Sequence, residues 1–422
     1  MTNSPKIHRL ANGVTLVCDP APGYHTIALS VVAGRGARWE DEARCGWSHL
    51  LEHMVFKGAG ARSAKEIVEA IEADGGQINA ATGHERTSFQ VRALAGGLDL
   101  AMEVTADLIL RPTLEAQDLE REKHVVGQEI AEAIDTPDDQ VFELAQAAAF
   151  AGQSLGRPIL GTPQSLGPAD GVSMEAWRER LYAPDRLVVS AAGDVDEDAM
   201  LRAAEALFGA AQSPEALEPA AAVFSGGVVF ERRRLEQAHL VFLLPGPSLL
   251  DRDYWPFRVL ADALGGGMSS RLFQEIRERL GLAYAIDAYG EAWRDTGVLG
   301  VYAACAPEDA GRLAEAVASE IKALTSGLSD AALARSKAQL KASLFMSRES
   351  LSSRAEQAAA QILVFGDLVA SSWFAEAIDA VTPESVADAG ARLISAGKFA
   401  ASVLGPRAAA DAAARFETRL YG

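Results

Sequence analysis

One stretch constrains this chain before any motif does. Residues Phe208 to Gly227 read FGAAQSPEALEPAAAVFSGG, a run rich in Ala, Pro, Ser and Gly. Such a run marks a linker, and it divides the 422 residues into two parts of similar length. The second part echoes the first: Leu119-Glu120-Arg121-Glu122-Lys123 returns as Leu333-Ala334-Arg335-Ser336-Lys337, 214 residues later. At that offset Ser343 falls opposite Glu129, and VLADAL at 259–264 falls roughly opposite HLLEHM at 49–54. One fold used twice explains both echoes. The expectation is an α+β chain of two homologous repeats, with an N-terminal domain over residues 1–212, a linker over 213–227 and a C-terminal domain over 228–422.

Local patterns fill in the elements. Gly13 to Cys18 and Thr26 to Ala33 alternate as strands do. A helix is predicted from about Gly46 to Lys57, stopped by Gly58 and Gly60. Ser63 and Glu66 form a capping-box pattern that opens the next helix, and Gly75 and Gly76 close it. Gln77 to Thr82 and Arg86 to Ala93 read as two strands joined around Gly83. Helical patterns run from Gly97 to Leu110 and from Leu114 to Phe150, the latter with Thr113 as its N-cap. In the second part, strands are predicted at 240–244 and 298–305, a helix at 255–264, and two helices after Cys305.

The totals exclude some function classes. Hydrophobic residues are 49% and charged residues 23%, an ordinary globular balance. A formal charge of −19 repels phosphate backbones, so no nucleic-acid partner is expected. The same charge attracts basic peptides where it lines a cavity. Cys18, Cys45 and Cys305 are odd in number and widely spaced, which fits buried thiols in a reducing compartment. The N-terminal MTNSPKIHRLANG has no charged-then-apolar signal pattern. No run reaches the ~18 apolar residues of a membrane span. A cytoplasmic protein without a membrane partner is expected.

The chemistry concentrates at Trp47-Ser48-His49-Leu50-Leu51-Glu52-His53-Met54. His49 and His53, four apart on a helix, stack on one face about 6 Å apart. That spacing suits two imidazoles on one zinc. Glu52 beside them is placed to take a proton from water on the metal. A catalytic zinc takes three protein ligands and keeps one open position. Glu129, on the later helix, is the candidate third ligand. Glu122, two helical turns earlier on the same face, is a candidate to orient a histidine ring. Pattern alone leaves two readings open, a zinc site or a solvated helix face. The apolar neighbours Leu50, Leu51, Met54, Val55 and Phe56 favour the first, because polar groups in such a helix are costly unless satisfied. His8, His25, His84, His124 and His239 are assigned no metal role, and His84 is expected at the surface of a strand turn.

At these residues the chain resembles the inverted-zincin metallopeptidases of the pitrilysin type, and most closely their processing-peptidase-like branch. The resemblance spans nearly the whole chain and rests on Gly46, HLLEHMVFKG at 49–58, GGQINAATGHERTSF at 75–89 and LEREKHVVGQEI at 119–130. Glu129 lies 76 residues after His53, as the family pattern requires of its third ligand. The resemblance implies one Zn2+ per chain and Glu52 as general base. In Ser269 to Tyr284 it implies an arginine and tyrosine pair, Arg277 and Tyr284, that binds substrate and supports the oxyanion. It further implies that Asn79, Ala80 and Ala81 lie along an extended peptide on an edge strand. Asp139 and Glu143 match acidic positions that take a basic side chain near the cleavage point; the other reading of that pair is two solvated acids. Ala59 stands where a threonine is common, a departure without chemical consequence.

As a whole, the resemblance implies a zinc metalloendopeptidase that cleaves unfolded or short peptides inside an enclosed chamber. Each repeat would be a mostly antiparallel sheet packed with helices, forming half of a clamshell. A homodimer is the expected assembly, or a heterodimer with a related subunit. The competing expectation is a non-catalytic relative of the same family, a peptide-binding or structural core subunit. Retention of every motif residue weighs against it.

Overall fold

The computed structural model describes residues 4–214 and 218–422. Part of the expected linker, 215–217, lies outside the described residues. The chain forms two compact units, each built on one mixed sheet. The first unit holds β1 (Lys6–Arg9), β2 (Thr15–Pro20), β3 (Thr26–Ala33), the short hairpin β4 (Gly58–Ala59) and β5 (Arg62–Ser63), β6 (Gln77–Thr82), β7 (Thr87–Leu94) and β8 (Leu187–Gly193). Its sheet runs β1-β2-β8-β3-β7-β6. The second unit holds β9 (Gly227–Arg232), β10 (Ala238–Gly246), β11 (Ala283–Ala292), β12 (Gly297–Cys305) and β13 (Ala400–Gly405), ordered β11-β12-β10-β13-β9.

The two sheets share one plan. β2 pairs β8 in parallel, and β8, β3, β7 and β6 then follow antiparallel. β9 pairs β13 in parallel, and β13, β10, β12 and β11 follow antiparallel. The duplication expected from sequence is therefore present strand by strand, with β1 as the first unit's addition. Central β3 is buried from Ile27 to Ala33, as a strand covered on both faces must be. Edge strand β6 alternates exposed and half-buried residues, the signature of one covered face.

The helices that bear on the site are α1 (Trp47–Val55), α2 (Ala64–Ala73), α3 (Leu98–Leu110), α4 (Ala116–Asp135) and α5 (Pro137–Ala149). The Ser63 capping box on α2 is present, with both reciprocal hydrogen bonds. The single helix expected over 114–150 is two. Thr136 is extended and Pro137 opens α5, because proline lacks the N–H that would continue α4 and disfavours a helical residue before it. Nor does Thr113 cap α4, which begins only at Ala116.

The units do not follow the expected domain boundaries throughout. The first comprises 1–131, 158–219 and 345–369; the second comprises 132–157, 220–344 and 370–422. Helix α5 belongs to the second unit, where Val141, Ala145 and Phe150 share a core with Val241, Leu243, Ala400 and Leu404. Ser402 Oγ donates to the Val141 carbonyl. Reciprocally, the helix Leu351–Phe365 belongs to the first unit. Its Ala359 and Ile362 pack on Val17, Val32 and Val188, and Arg354 makes two hydrogen bonds, 2.8 and 2.6 Å, to buried Asp19. Each sheet has a second apolar face that needs cover, and each repeat supplies the helix that covers the other's. Among the described residues no helix is long and apolar enough to cross a membrane.

Candidate active site

Helix α1 starts at Gly46, whose φ of +89° suits glycine. A Cβ there would lie 2.5 Å from the Leu160 carbonyl oxygen. Glu40 anchors this end. Its buried carboxylate accepts the Gly46 N–H at 2.7 Å and the Ser48 N–H at 2.6 Å, meeting helix-terminal donors with a negative charge. Trp47 Nε1 donates to the Ser165 carbonyl at 2.9 Å. Leu50, Leu51, Met54 and Val55 are fully buried. The helix is thus fixed along its inner side, and His49, Glu52 and His53 project from the remaining face.

His49 and His53 lie with ring centroids 4.7 Å apart, on one helix face as their spacing suggested. Helix α4 brings Glu129 to them: its Oε2 is 3.7 Å from His49 Nε2 and 3.6 Å from His53 Nε2. Those distances are too long for hydrogen bonds. They lie at or just beyond the ~3.3–3.6 Å between ligand atoms around a tetrahedral zinc with bonds of ~2.0–2.2 Å. The three donor atoms lie within 4.8 Å of one another. The donor set, two neutral imidazoles and a carboxylate, is one zinc accepts.

Electrostatics favours the ligating forms. Burial, then the neighbouring His53, pushes the His49 imidazolium down to about 4, leaving the ring neutral at ordinary pH. Glu122 Oε2 lies 3.1 Å from His53 Nδ1. With Nδ1–H donating to that carboxylate, His53 Nε2 keeps its lone pair for a metal. The other Glu122 oxygen is 2.9 Å from Lys57 Nζ, a partner that no sequence spacing pointed to. Burial raises the pKa of Glu52, while the Thr82 hydrogen bond opposes that rise. Tyr182 is fully buried within reach of that carboxylate's field, its phenol held protonated by burial and by the Glu52 charge.

The other expected residues fall into separate groups. β6 is the edge of its sheet, and Asn79 and Ala81 face outward on it. Ala80 instead packs against the core, so only its main chain is available at the edge. Arg277 and Tyr284 come together in the second unit: the Arg277 guanidinium lies 4.4 Å from the Tyr284 ring centroid and 4.6 Å from that of Phe273. Tyr284 is 76% exposed. Arg277 stands on a π-helical stretch, Phe273–Arg279, a rare conformation that collects at functional places and that no sequence pattern announced. Asp139 and Glu143 lie one turn apart on α5, and burial with the Asp139 charge raises the Glu143 pKa. His84 is half-buried rather than a surface residue, and desolvation lowers it to about 4. Glu40, Lys57 and Thr82 carried no spacing signal, since each acts through a fold contact.

Comparison with known proteins identifies the family. Residues 16–163 match the family model described as insulinase, peptidase family M16, and residues 173–340 match the peptidase M16 inactive domain. An uncharacterized zinc protease of Rickettsia felis is 32% identical over 407 residues, covering 96% of this chain and 98% of that protein. The chain belongs to peptidase family M16. Within that pitrilysin-type family, the uncharacterized zinc protease YmxG of Bacillus subtilis is 35% identical, covering 86% of this chain and 88% of YmxG. For the fold, a crystal structure of a protease from Helicobacter pylori superposes with a TM-score of 0.87 at 19% identity, covering 96% of this chain and all of that one.

Proposed function

We propose that this M16 chain is a zinc metalloendopeptidase, with His49, His53 and Glu129 holding the metal and Glu52 as general base. The observation that carries the reading is the convergence of three ligand atoms from α1 and α4 with a half-buried carboxylate on the same helix face. A zinc ion supplies Lewis acidity, bringing the pKa of water towards about 7 and polarising a carbonyl. Glu52 accepts the proton of the attacking water and delivers it to the leaving amine. Glu122 holds His53 in the ligating tautomer. The free edge of β6 takes an extended peptide through main-chain hydrogen bonds, which asks little of its sequence.

The resemblance adds Arg277 and Tyr284 as substrate and oxyanion binders, and Asp139 and Glu143 as a preference for a nearby basic residue. It also makes a homodimer the assembly to look for, and unfolded or short peptides the substrate class. The names of the relatives support a peptidase, and the intact motif favours it over a non-catalytic subunit.

The test is cleavage of a mixed library of peptides of about ten to thirty residues, read by mass spectrometry with and without a zinc chelator. Chelator-sensitive cutting is expected. Glu52→Gln should retain zinc and lose about 10²- to 10⁴-fold in kcat/KM. A Glu52→Gln protein that cleaves like wild type would remove Glu52 from its role. Zinc binding with no cleavage of any peptide would favour the non-catalytic alternative.

A further inference from the structure

Thr82 closes β6, and its hydroxyl donates a 2.5 Å hydrogen bond to Glu52 Oε2. The strand's period of two explains the contact. Ile78, Ala80 and Thr82 share the half-buried face, and Ile78 and Ala80 pack against the same core that α1 enters. The third residue in that row is a threonine, so where the apolar row ends a hydroxyl meets the carboxylate. A glutamate side chain has three torsions to fix, and the helical backbone of α1 restricts only the first. Among the described residues β6 is meanwhile the edge of its sheet, so a peptide strand added there would run beside the residues that carry Thr82.

We propose that Thr82 is the positioning residue for Glu52: its hydroxyl holds the carboxylate in the orientation from which it takes the proton, and links that orientation to peptide docking on β6. The proposal rests on the reading of Glu52 as general base. Thr82→Val preserves shape and removes the hydroxyl, whereas Thr82→Ser keeps it. Full-length variants are compared for kcat and KM on a peptide the wild type cleaves, for zinc affinity by competition with a chromophoric chelator, and for thermal melting. Thr82→Val should lower kcat about 10- to 100-fold, with KM and zinc affinity within about twofold and Thr82→Ser within about threefold of wild type. Thr82→Ala serves the same reading if valine disturbs the strand edge.

A Thr82→Val enzyme with unchanged kcat overturns the proposal. So does a joint fall in kcat and zinc affinity that serine fails to restore, because that pattern marks a scaffold residue. Glu52→Gln, run alongside, separates the two levels. If it is inactive while Thr82→Val is fully active, only the role of Thr82 falls. If Glu52→Gln is itself active, the general-base reading falls and takes the role of Thr82 with it.

Discussion

The two units share a strand order and differ most tellingly at one helix. In the first, α1 presents His49, Glu52 and His53; in the second, the helix Tyr254–Gly265 has Val259, Asp262 and Ala263 at the positions opposite. Val259 and Ala263 are buried, so these are core-like positions that apolar side chains satisfy without help. Placing imidazoles there is unfavourable unless their nitrogens find partners. His53 has Glu122 on one side, and both rings turn Nε2 towards Glu129. The second unit fills the same positions with apolar side chains, so this helix position does not of itself require histidines.

The strongest way to break that contrast is to make the first unit resemble the second. His49→Val installs the residue opposite. Zinc binding and peptide cleavage should fall by about 10³-fold or more, since two protein ligands no longer hold a catalytic zinc. The metal-free variant should nevertheless be more stable than metal-free wild type, by about 1–3 kcal/mol, because a half-buried ring with a buried, unpartnered Nδ1 is gone. Urea unfolding in the presence of chelator measures the second effect. A destabilised metal-free His49→Val would show that the site is not strained in the way the second unit suggests.

A smaller difference lies at the turns that lead out of the edge strands. The β6–β7 turn carries His84; the β11–β12 turn, Trp293 to Thr296, carries no histidine. Burial, then the Arg38 charge, lowers His84 to about 4, below the unfolded value near 6.5. The folded state thus stays unprotonated where the unfolded chain takes a proton. This contribution is intact above pH 6.5, is lost as pH falls towards 4, and amounts to at most about 3 kcal/mol. His84→Gln should flatten that part of the stability profile of chelated protein, read as urea midpoints at pH 7 and pH 4.5. Equal pH dependence in both proteins would rule it out.

Much of this was legible in the sequence for identifiable reasons. His49 and His53 announced themselves because helical spacing is local, at four residues, while Glu129, 76 residues after His53, was pointed to by the family resemblance. The repeat was visible through a few identities, and the strand order agrees with it. The exchange of α5 and Leu351–Phe365 between the sequence repeats was not legible, since an apolar helix face does not state which sheet it will cover. Edge strand β11 was missed because its burial does not alternate cleanly and its pairing shifts register between Ala283 and Ala285. Glu40 and Thr82 were silent because their partners are reached only through tertiary structure.

The finest contrast concerns Glu122 and the residue opposite it, Ser336. Both reach across to the helix that precedes them in the repeat: Glu122 to His53, and Ser336 by a hydrogen bond to Asp262. The link between the helices is therefore common to both units, but its carboxylate stands on the later helix in the first, as Glu122, and on the earlier helix in the second, as Asp262. Glu122→Gln keeps an oxygen for His53 Nδ1–H while removing the charge shared with Lys57. Glu122→Ser copies the second unit and leaves both partners unmet. If Glu122 acts by raising the basicity of His53 as well as by fixing its ring, zinc affinity should fall about tenfold in Glu122→Gln and nearer a hundredfold in Glu122→Ser. Equal losses in the two variants would mean that the charge alone matters. No loss in Glu122→Gln would mean that ring orientation is the whole of its role, and that the first unit uses this position much as the second does.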